Sequence, residues 1–335
     1  MKARRHRRIL PTIGGPDFDP PAIDALPESA DRPRFSVMIP TFNCAEYLRV
    51  CLASVLEQDP GPGRMQIEVI DDCSTLDDPE TVVRELGGGR VGFTRQAHNV
   101  GAVGNFNTCI RRASGELVHI LHGDDFVLDG FYDEIDRLAT AQPGAGMYAT
   151  AIRFVDDAGA VIDTSEPLTP YENGPSRSIA PFGRGTPVQF AGCVVRRRAY
   201  EEVGGFLRGL LHVADWEMWI RIVGQHGMVG TSVPFAAYRR FMASDSSRLI
   251  RTASNLEDLE RGLQVLIGRG VALDPEMLLQ TLRTTAKLQG NRLAVAGDSE
   301  GARANLEFWR RRATPEDRLR RIVGLLRGSL VRGGA

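Results

Sequence analysis

Lysine is almost missing from this chain of 335 residues: of its 41 basic side chains only Lys2 and Lys287 are lysines, and the arginines gather towards the two ends. Against them stand 42 acidic residues, so the formal net charge is -1. That balance excludes a protein that binds nucleic acid over its whole surface, which needs a clear positive excess. Cysteine is scarce as well. Cys44, Cys51, Cys73, Cys109 and Cys193 are odd in number, form no CxxC pair and sit among apolar segments. This excludes a disulfide framework and a zinc ribbon, and reads as reduced thiols in a cytosolic protein. No apolar run approaches the roughly 18 residues of a membrane span. The opening MKARRHRRILPTIGG is basic but has no apolar stretch of signal-peptide length, so a soluble, cytoplasmic protein is expected. The Gly-rich segments 87–89 and 101–104 lack the GxGxxG or GxxxxGK(S/T) spacing that cradles phosphates. There is no Ser/His/Asp order, no Cys/His pairing and no internal repeat.

What is present is the composition of a soluble globular protein, 42% hydrophobic and 25% charged, long enough for one large or two ordinary domains. Residues 1–33 combine an arginine cluster with six prolines and read as a flexible tail or extended arm. From Phe35 onwards short apolar runs alternate with segments of helical spacing. The runs are FSVMIP (35–40), QIEVID (66–71), VGFTR (91–95) and ELVHIL (116–121); helices are predicted near 44–57, 78–86, 102–113 and 130–140. Four strand–helix units in a row imply a parallel sheet covered on both faces, with a ligand beyond the carboxyl ends of its strands. Further on, 152–163 reads as a hairpin turning at Asp157–Gly159, 165–187 as a long Pro/Gly/Ser-rich loop, 187–196 and 228–240 as strands, and 216–223 as a helix. After residue 252 the pattern is helical. Leu256, Leu259, Leu263 and Leu266 form one stripe; Leu319, Ile322, Val323 and Leu326 form another, among arginines.

Three acidic sites carry chemistry. Asp71 and Asp72 end the second predicted strand, where aspartates either form the turn or accept hydrogen bonds from a nucleobase imide or a ribose hydroxyl. Asp124 and Asp125 end the fourth. Adjacent carboxylates past a buried strand repel each other, and Mg²⁺ or Mn²⁺ would relieve that cost while binding phosphates. In HVADWEMWIRI, Trp216, Trp219, Ile220 and Val223 make one apolar helix face and place Asp215 at the N-cap. There it is either a cap or a general base fixed at the cleft, although a helix N-terminus lowers a carboxylate's basicity. Glu217 is the reserve candidate. His119, His122 and His212 read as ligands or as satisfied structural residues.

Taken together, SVMIPTFNCAEYL (36–48), IEVIDDCST (67–75), HNVGAVGNFN (98–107), GELVHILHGDDF (115–126), VVRRRAYEEVGGF (194–206) and ADWEMWIRI (214–222) resemble family 2 glycosyltransferases. The resemblance implies an α/β GT-A fold, a Rossmann-like and mostly parallel sheet flanked by helices. Its catalytic domain would span 34–250, with a nucleotide-binding half at 34–126 and an acceptor half at 127–250, and a helical C-terminal region at 251–335. It implies inverting transfer of a sugar from a nucleotide-diphosphate donor, a UDP-sugar first, to the hydroxyl of a saccharide, lipid-linked or small-molecule acceptor. Pro40, Thr41 and Phe42 match the loop that contacts the base, Asp72 the aspartate on the uracil ring, and Asn99 a segment near the donor. Asp124 matches the ribose-side acid, Asp125 the ligand of Mg²⁺ or Mn²⁺, and Asp215 the base. One departure stands out. Many members read Tyr-Arg-x-His after the last strand, but YRRF places Phe241 at the histidine, with His212 a candidate to take its place that spacing alone does not establish.

Two other readings fit less well. A sugar-nucleotide nucleotidyltransferase needs a Gly-rich basic loop after the first strand, which PTFNCAEYL does not offer. A silent sugar-nucleotide binder or scaffold would leave Asp215 as a cap alone. The C-terminal helices read first as packing on the catalytic domain or a second copy of the chain, and otherwise as a basic amphipathic surface on the inner face of a membrane.

Overall fold

The structure, a computed structural model, describes residues 12–27, 31–241 and 244–315. Every side chain of β1 (Phe35–Thr41) is buried, as in a parallel strand covered on both faces. Alternation divides that strand between two apolar clusters: Val37 and Ile39 pack on one side of the sheet, Met38 on the other. There follow α1 (Ala45–Leu56), β2 (Met65–Asp71), α2 (Pro79–Gly87), β3 (Gly92–Arg95), α3 (Gly101–Arg112) and β4 (Leu117–Ile120). These strands lie side by side as β3-β2-β1-β4, all parallel. The chain steps outwards from β1 to β3 and returns on the other side of β1, so the β1/β4 boundary is the switch point where such sheets open a crevice. The register shows the opening. Pairing of β1 with β2 runs to Thr41↔Asp71, but pairing with β4 stops at Met38↔Ile120. Pro40 has no N–H with which to extend the second ladder.

The sheet continues through β5 (Phe126–Val127), β6 (Met147–Val155), β7 (Val161–Thr164), β8 (Cys193–Arg196) and β9 (Met228–Arg239), in the order β4-β8-β6-β9-β5 with β7 beside β6. Here the directions mix: β8 is antiparallel to β4 and β6, and β9 is parallel to β6 but antiparallel to β5. Helices α4 (Phe131–Ala141), α5 (Arg197–Val203) and α6 (Ala214–His226) flank this half. The strand expected over 187–196 is shortened, because Phe190–Gly192 forms a 3-10 turn and only Cys193–Arg196 pairs. A Cβ on Gly192 would stand 2.8 Å from the Thr150 carbonyl, so the turn lies directly on β6.

The expectation of a flexible tail over 1–33 is corrected for residues 12–27. Ile23 is buried, the Gly205 N–H donates to the Pro21 carbonyl and the Gly209 N–H to that of Asp17. Prolines hold this arm extended and so reduce the entropy lost on docking. The C-terminal region comprises α7 (Asp245–Arg251), α8 (Ser254–Gly268), α9 (Pro275–Val295) and α10 (Ser299–Arg312). Leu256, Leu263 and Leu266 of α8 are buried in the same apolar cluster as Trp216 and Trp219 of α6. The stripe from Leu319 to Leu326 lies outside the described residues. Among the described residues no helix is long and apolar enough to cross a membrane.

Candidate active site

The two aspartates that end β2 do different things. The fully buried Asp71 carboxylate accepts the Ser74 N–H at 3.2 Å, the Ser74 hydroxyl at 2.5 Å and the Arg95 guanidinium at 2.6 Å, so it shapes the turn. Asp72 turns towards the start of α3, where its Oδ1 accepts the Val100 N–H at 2.8 Å. Burial raises its pKa, and the amides of Val100 and Gly101 oppose that rise. Asn99 braces the same loop: its Nδ2 donates to the Asp72 carbonyl and its Oδ1 accepts the Gly101 N–H, both at 3.1 Å. Thr41 shares a 2.8 Å hydrogen bond with Cys44 Sγ and so points inwards, whereas Phe42 is 44% exposed. Asn43 had no part in the sequence reading. With φ at 51° it accepts the N–H groups of Thr75 and Leu76 and ties the loops after β1 and β2 together. Asparagine adopts this left-handed conformation at lower cost than most residues, which is the signal its position offered.

The loop after β4 lies tightly on these two. A Cβ on Gly123 would stand 3.1 Å from both Thr41 Oγ1 and Cys44 Sγ. Asp125 is 1% exposed; its Oδ1 accepts the Arg239 N–H at 2.9 Å and its Oδ2 is buried with no partner. Burial first, and the Asp124 charge second, push its pKa well above the usual carboxylate range. The Arg239 guanidinium donates to the carbonyls of Asp124, Asp156 and Asp157 at 3.1, 3.1 and 2.7 Å, and lies 4.9 Å above the Tyr47 ring. It thereby clamps the acid loop, the β6–β7 turn and α1. Phe241 packs against that same tyrosine, ring centroids 5.0 Å apart.

His122 stacks on Phe106 at 4.9 Å, and its Nε2 is buried without a partner. Burial lowers its pKa to about 4, so the ring is neutral and able to act as a ligand. His122, Asp124 and Asp125 each offer one ligand atom within 4.8 Å of the others, the one such gathering of three among the described residues. Two carboxylates and a neutral imidazole, with a buried orphaned oxygen on Asp125, suit a divalent cation such as Mn²⁺. The expected stand-in, His212, is not in this group. Its N–H donates to Asp258, and the burial of its ring lowers its pKa. His119 is a core residue, bonded to the Tyr132 hydroxyl and the Ala191 carbonyl at 3.2 Å each.

Asp215 is not the N-cap expected of it. Val213 holds that position, and Asp215, one residue inside α6, accepts the N–H of the next residue, Trp216, at 2.7 Å. Burial outweighs the helix terminus and pushes its pKa up to about 7, with Asp258 adding to the rise. Glu217 serves otherwise. It is fully buried between Arg221, at 2.8 Å, and Arg269, at 2.6 Å. The Tyr238 phenol, on β9, is pushed up to about 12 by burial and then by the charges of Asp125, Asp124 and Asp215, against a Ser246 hydrogen bond that lowers it.

This is an α/β enzyme fold of the GT-A type. Staphylococcus aureus TarS 1–349 in complex with UDP-GlcNAc superposes with a TM-score of 0.54 at 16% identity, covering 83% of this chain and 92% of that one. The mannosyltransferase PcManGT of Pyrobaculum calidifontis, in complex with GDP-Man and Mn²⁺, gives 0.53 at 18% identity, covering 89% and 85%. The chain belongs to glycosyl transferase family 2, whose profile matches residues 36–204, and it is a glycosyltransferase. A Mycobacterium tuberculosis relative named "Uncharacterized protein MT1568" is 27% identical over 247 residues, 70% of this chain and 76% of its own. The poly(ribitol-phosphate) beta-N-acetylglucosaminyltransferase TarS is 30% identical over 95 residues, which is 28% of this chain and 17% of that protein's length.

Proposed function

We propose that this enzyme transfers a sugar, with inversion, from a UDP-sugar to an acceptor hydroxyl, using Asp215 as base. The observation that carries this reading is the gathering of His122, Asp124 and Asp125, whose ligand atoms lie within 4.8 Å of one another, with a buried Asp125 oxygen left without a partner. Asp215 adds a carboxyl pushed up to about 7 by burial. A base near neutrality combines sufficient population of the ionised form with sufficient basicity. Phe42 and Asp72, with the backbone of Pro40 and Thr41, hold the base of the donor, and Asn99 acts by bracing Asp72. Asp124 meets the ribose side. Asp125, Asp124 and His122 would hold Mg²⁺ or Mn²⁺ beside the diphosphate. When bound, such an ion neutralises charge on the departing nucleotide. Asp215 removes the acceptor proton as the hydroxyl attacks the face of the sugar opposite the leaving group. No covalent intermediate is required. The thiols of Cys44, Cys51, Cys109 and Cys193 are all pushed up by burial and make poor nucleophiles.

The test is a thermal-shift screen of nucleotide sugars with Mn²⁺, beginning with UDP-GlcNAc and GDP-Man, since a ligand that binds only the folded state stabilises it. A UDP-sugar is expected to stabilise the protein, and Asp215→Asn to keep that shift while losing transfer. Stabilisation by GDP-Man alone would reject the uridine assignment. Undiminished transfer by Asp215→Asn would reject the base.

A further inference from the structure

We propose that Asp258, on α8 in the C-terminal helical region, is the positioning residue for Asp215; this rests on reading Asp215 as the base. Asp258 is 1% exposed, and its Oδ2 accepts three successive backbone N–H groups, those of Leu211, His212 and Val213, at 2.9, 2.7 and 3.0 Å. Its Oδ1 takes Arg261 Nη2 at 3.0 Å. Successive amides turned onto one oxygen form an anion-binding concavity, here filled by the protein's own carboxylate. The loop wrapped around it ends at Val213, the N-cap of α6, two residues before Asp215.

A second contact fixes the same place from one turn further along α8. A Cβ on Gly262 would stand 3.0 Å from Val213 Cγ2 and 3.3 Å from Trp216 Cζ3, so the backbone of α8 presses on residues at both sides of Asp215. The groups whose charges act on or near Asp215 are Asp258 of α8, Cys193 of β8 and Tyr238 of β9. His212 lies in the wrapped loop and Arg261 pairs with Asp258. Burial keeps the thiol, the phenol and the imidazole neutral near pH 7. Asp258 is therefore the anion that acts on Asp215, so it sets both the position of the base and part of its basicity.

The test uses the full chain labelled with [4-¹³C]aspartate, the Asp215 resonance being the one lost in Asp215→Asn. Asp258→Asn keeps an oxygen for the three amides but removes the charge. In that variant the Asp215 titration midpoint is expected to move to lower pH, because a like charge has gone. Asp258→Ala removes the anchor too. There, hydrogen exchange at the amides of 211–213 is expected to quicken about tenfold or more, as for a locally opened segment. An unmoved midpoint in Asp258→Asn overturns the proposal, and that variant decides alone should Asp258→Ala fail to fold. These readouts need no turnover. Transfer by Asp215→Asn at the wild-type rate would instead defeat the base reading.

Discussion

The proposed donor side and the proposed acceptor side of this enzyme hold their acids by different means. On the donor side Asp71 and Asp72 stand at the end of β2 and Asp124 and Asp125 in the loop from β4 to β5, and their anchors belong to the sheet and its loops: Ser74, Val100 and the last residue of β9, Arg239. On the acceptor side Asp215 depends on a helix beyond the family-matched segment. A site at strand ends comes with the sheet, so it accompanies the fold wherever the fold goes. A site held by an added helix can differ between relatives that share the sheet.

The largest expected effect breaks the acceptor side alone. Asp215→Asn should lower kcat by about 10²–10⁴-fold, the span of a general base, while calorimetric binding of UDP with Mn²⁺ is retained. Breaking the donor side should give the reverse. Asp125→Asn should abolish Mn²⁺-dependent binding of UDP, yet raise metal-free stability by about 1–2 kcal/mol in denaturant titrations, because a buried negative charge beside Asp124 is removed. Glu217→Gln sharpens the contrast, since it sits two residues from the base but serves structure. Loss of its charge leaves Arg221 and Arg269 uncompensated and should cost about 2–4 kcal/mol of stability. At temperatures where the variant stays folded, kcat should change little.

A smaller effect is read with pH. The raised Asp215 pKa of about 7 predicts that kcat/KM climbs through neutrality and levels above it, as the base ionises. Stability runs the other way. The folded state binds this proton more tightly than the unfolded chain, so Asp215 weakens the fold progressively from about pH 4, the unfolded value, to its folded pKa and by a constant amount above. Asp215→Asn should therefore be the more stable protein at pH 8 and lose that advantage near pH 4. The smallest effect is that of Phe42→Ala, which should weaken UDP binding by about tenfold, the scale of one base stacking on an aromatic ring.

Periodicity alone placed the first four strand–helix units close to where they lie, because buried parallel strands are continuous apolar runs and their helices keep one apolar face. The acid pairs were legible for the same reason, as they fall where each run stops. The features that escaped depend on distant residues. The spacing gives the N-cap position to Asp215 because the apolar face begins at Trp216, whereas the helix begins at Ala214, and nothing nearby in sequence shows that Asp258 fixes the preceding loop. His119, His122 and His212 read alike as ligands or structural residues, since spacing cannot show which imidazole stacks beside the acids on Phe106. The N-terminal arm looked like a tail because its prolines rule out helix and sheet, whereas docking requires only an extended backbone and a few contacts such as Ile23. The aromatic neighbour of Phe241, Tyr47, is likewise not visible from the YRRF motif.

Arg269 reaches from the end of α8 both to Glu217 and to the Phe18 carbonyl of the N-terminal arm. During synthesis the ribosome delivers these parts in the order arm, base, bridge. The acid loop after β4 waits for Arg239 of β9 to hold Asp125, and the segment around Asp215 waits longer, until Arg269 has left the exit tunnel. The arm is thus among the first parts made and among the last to be fixed in place.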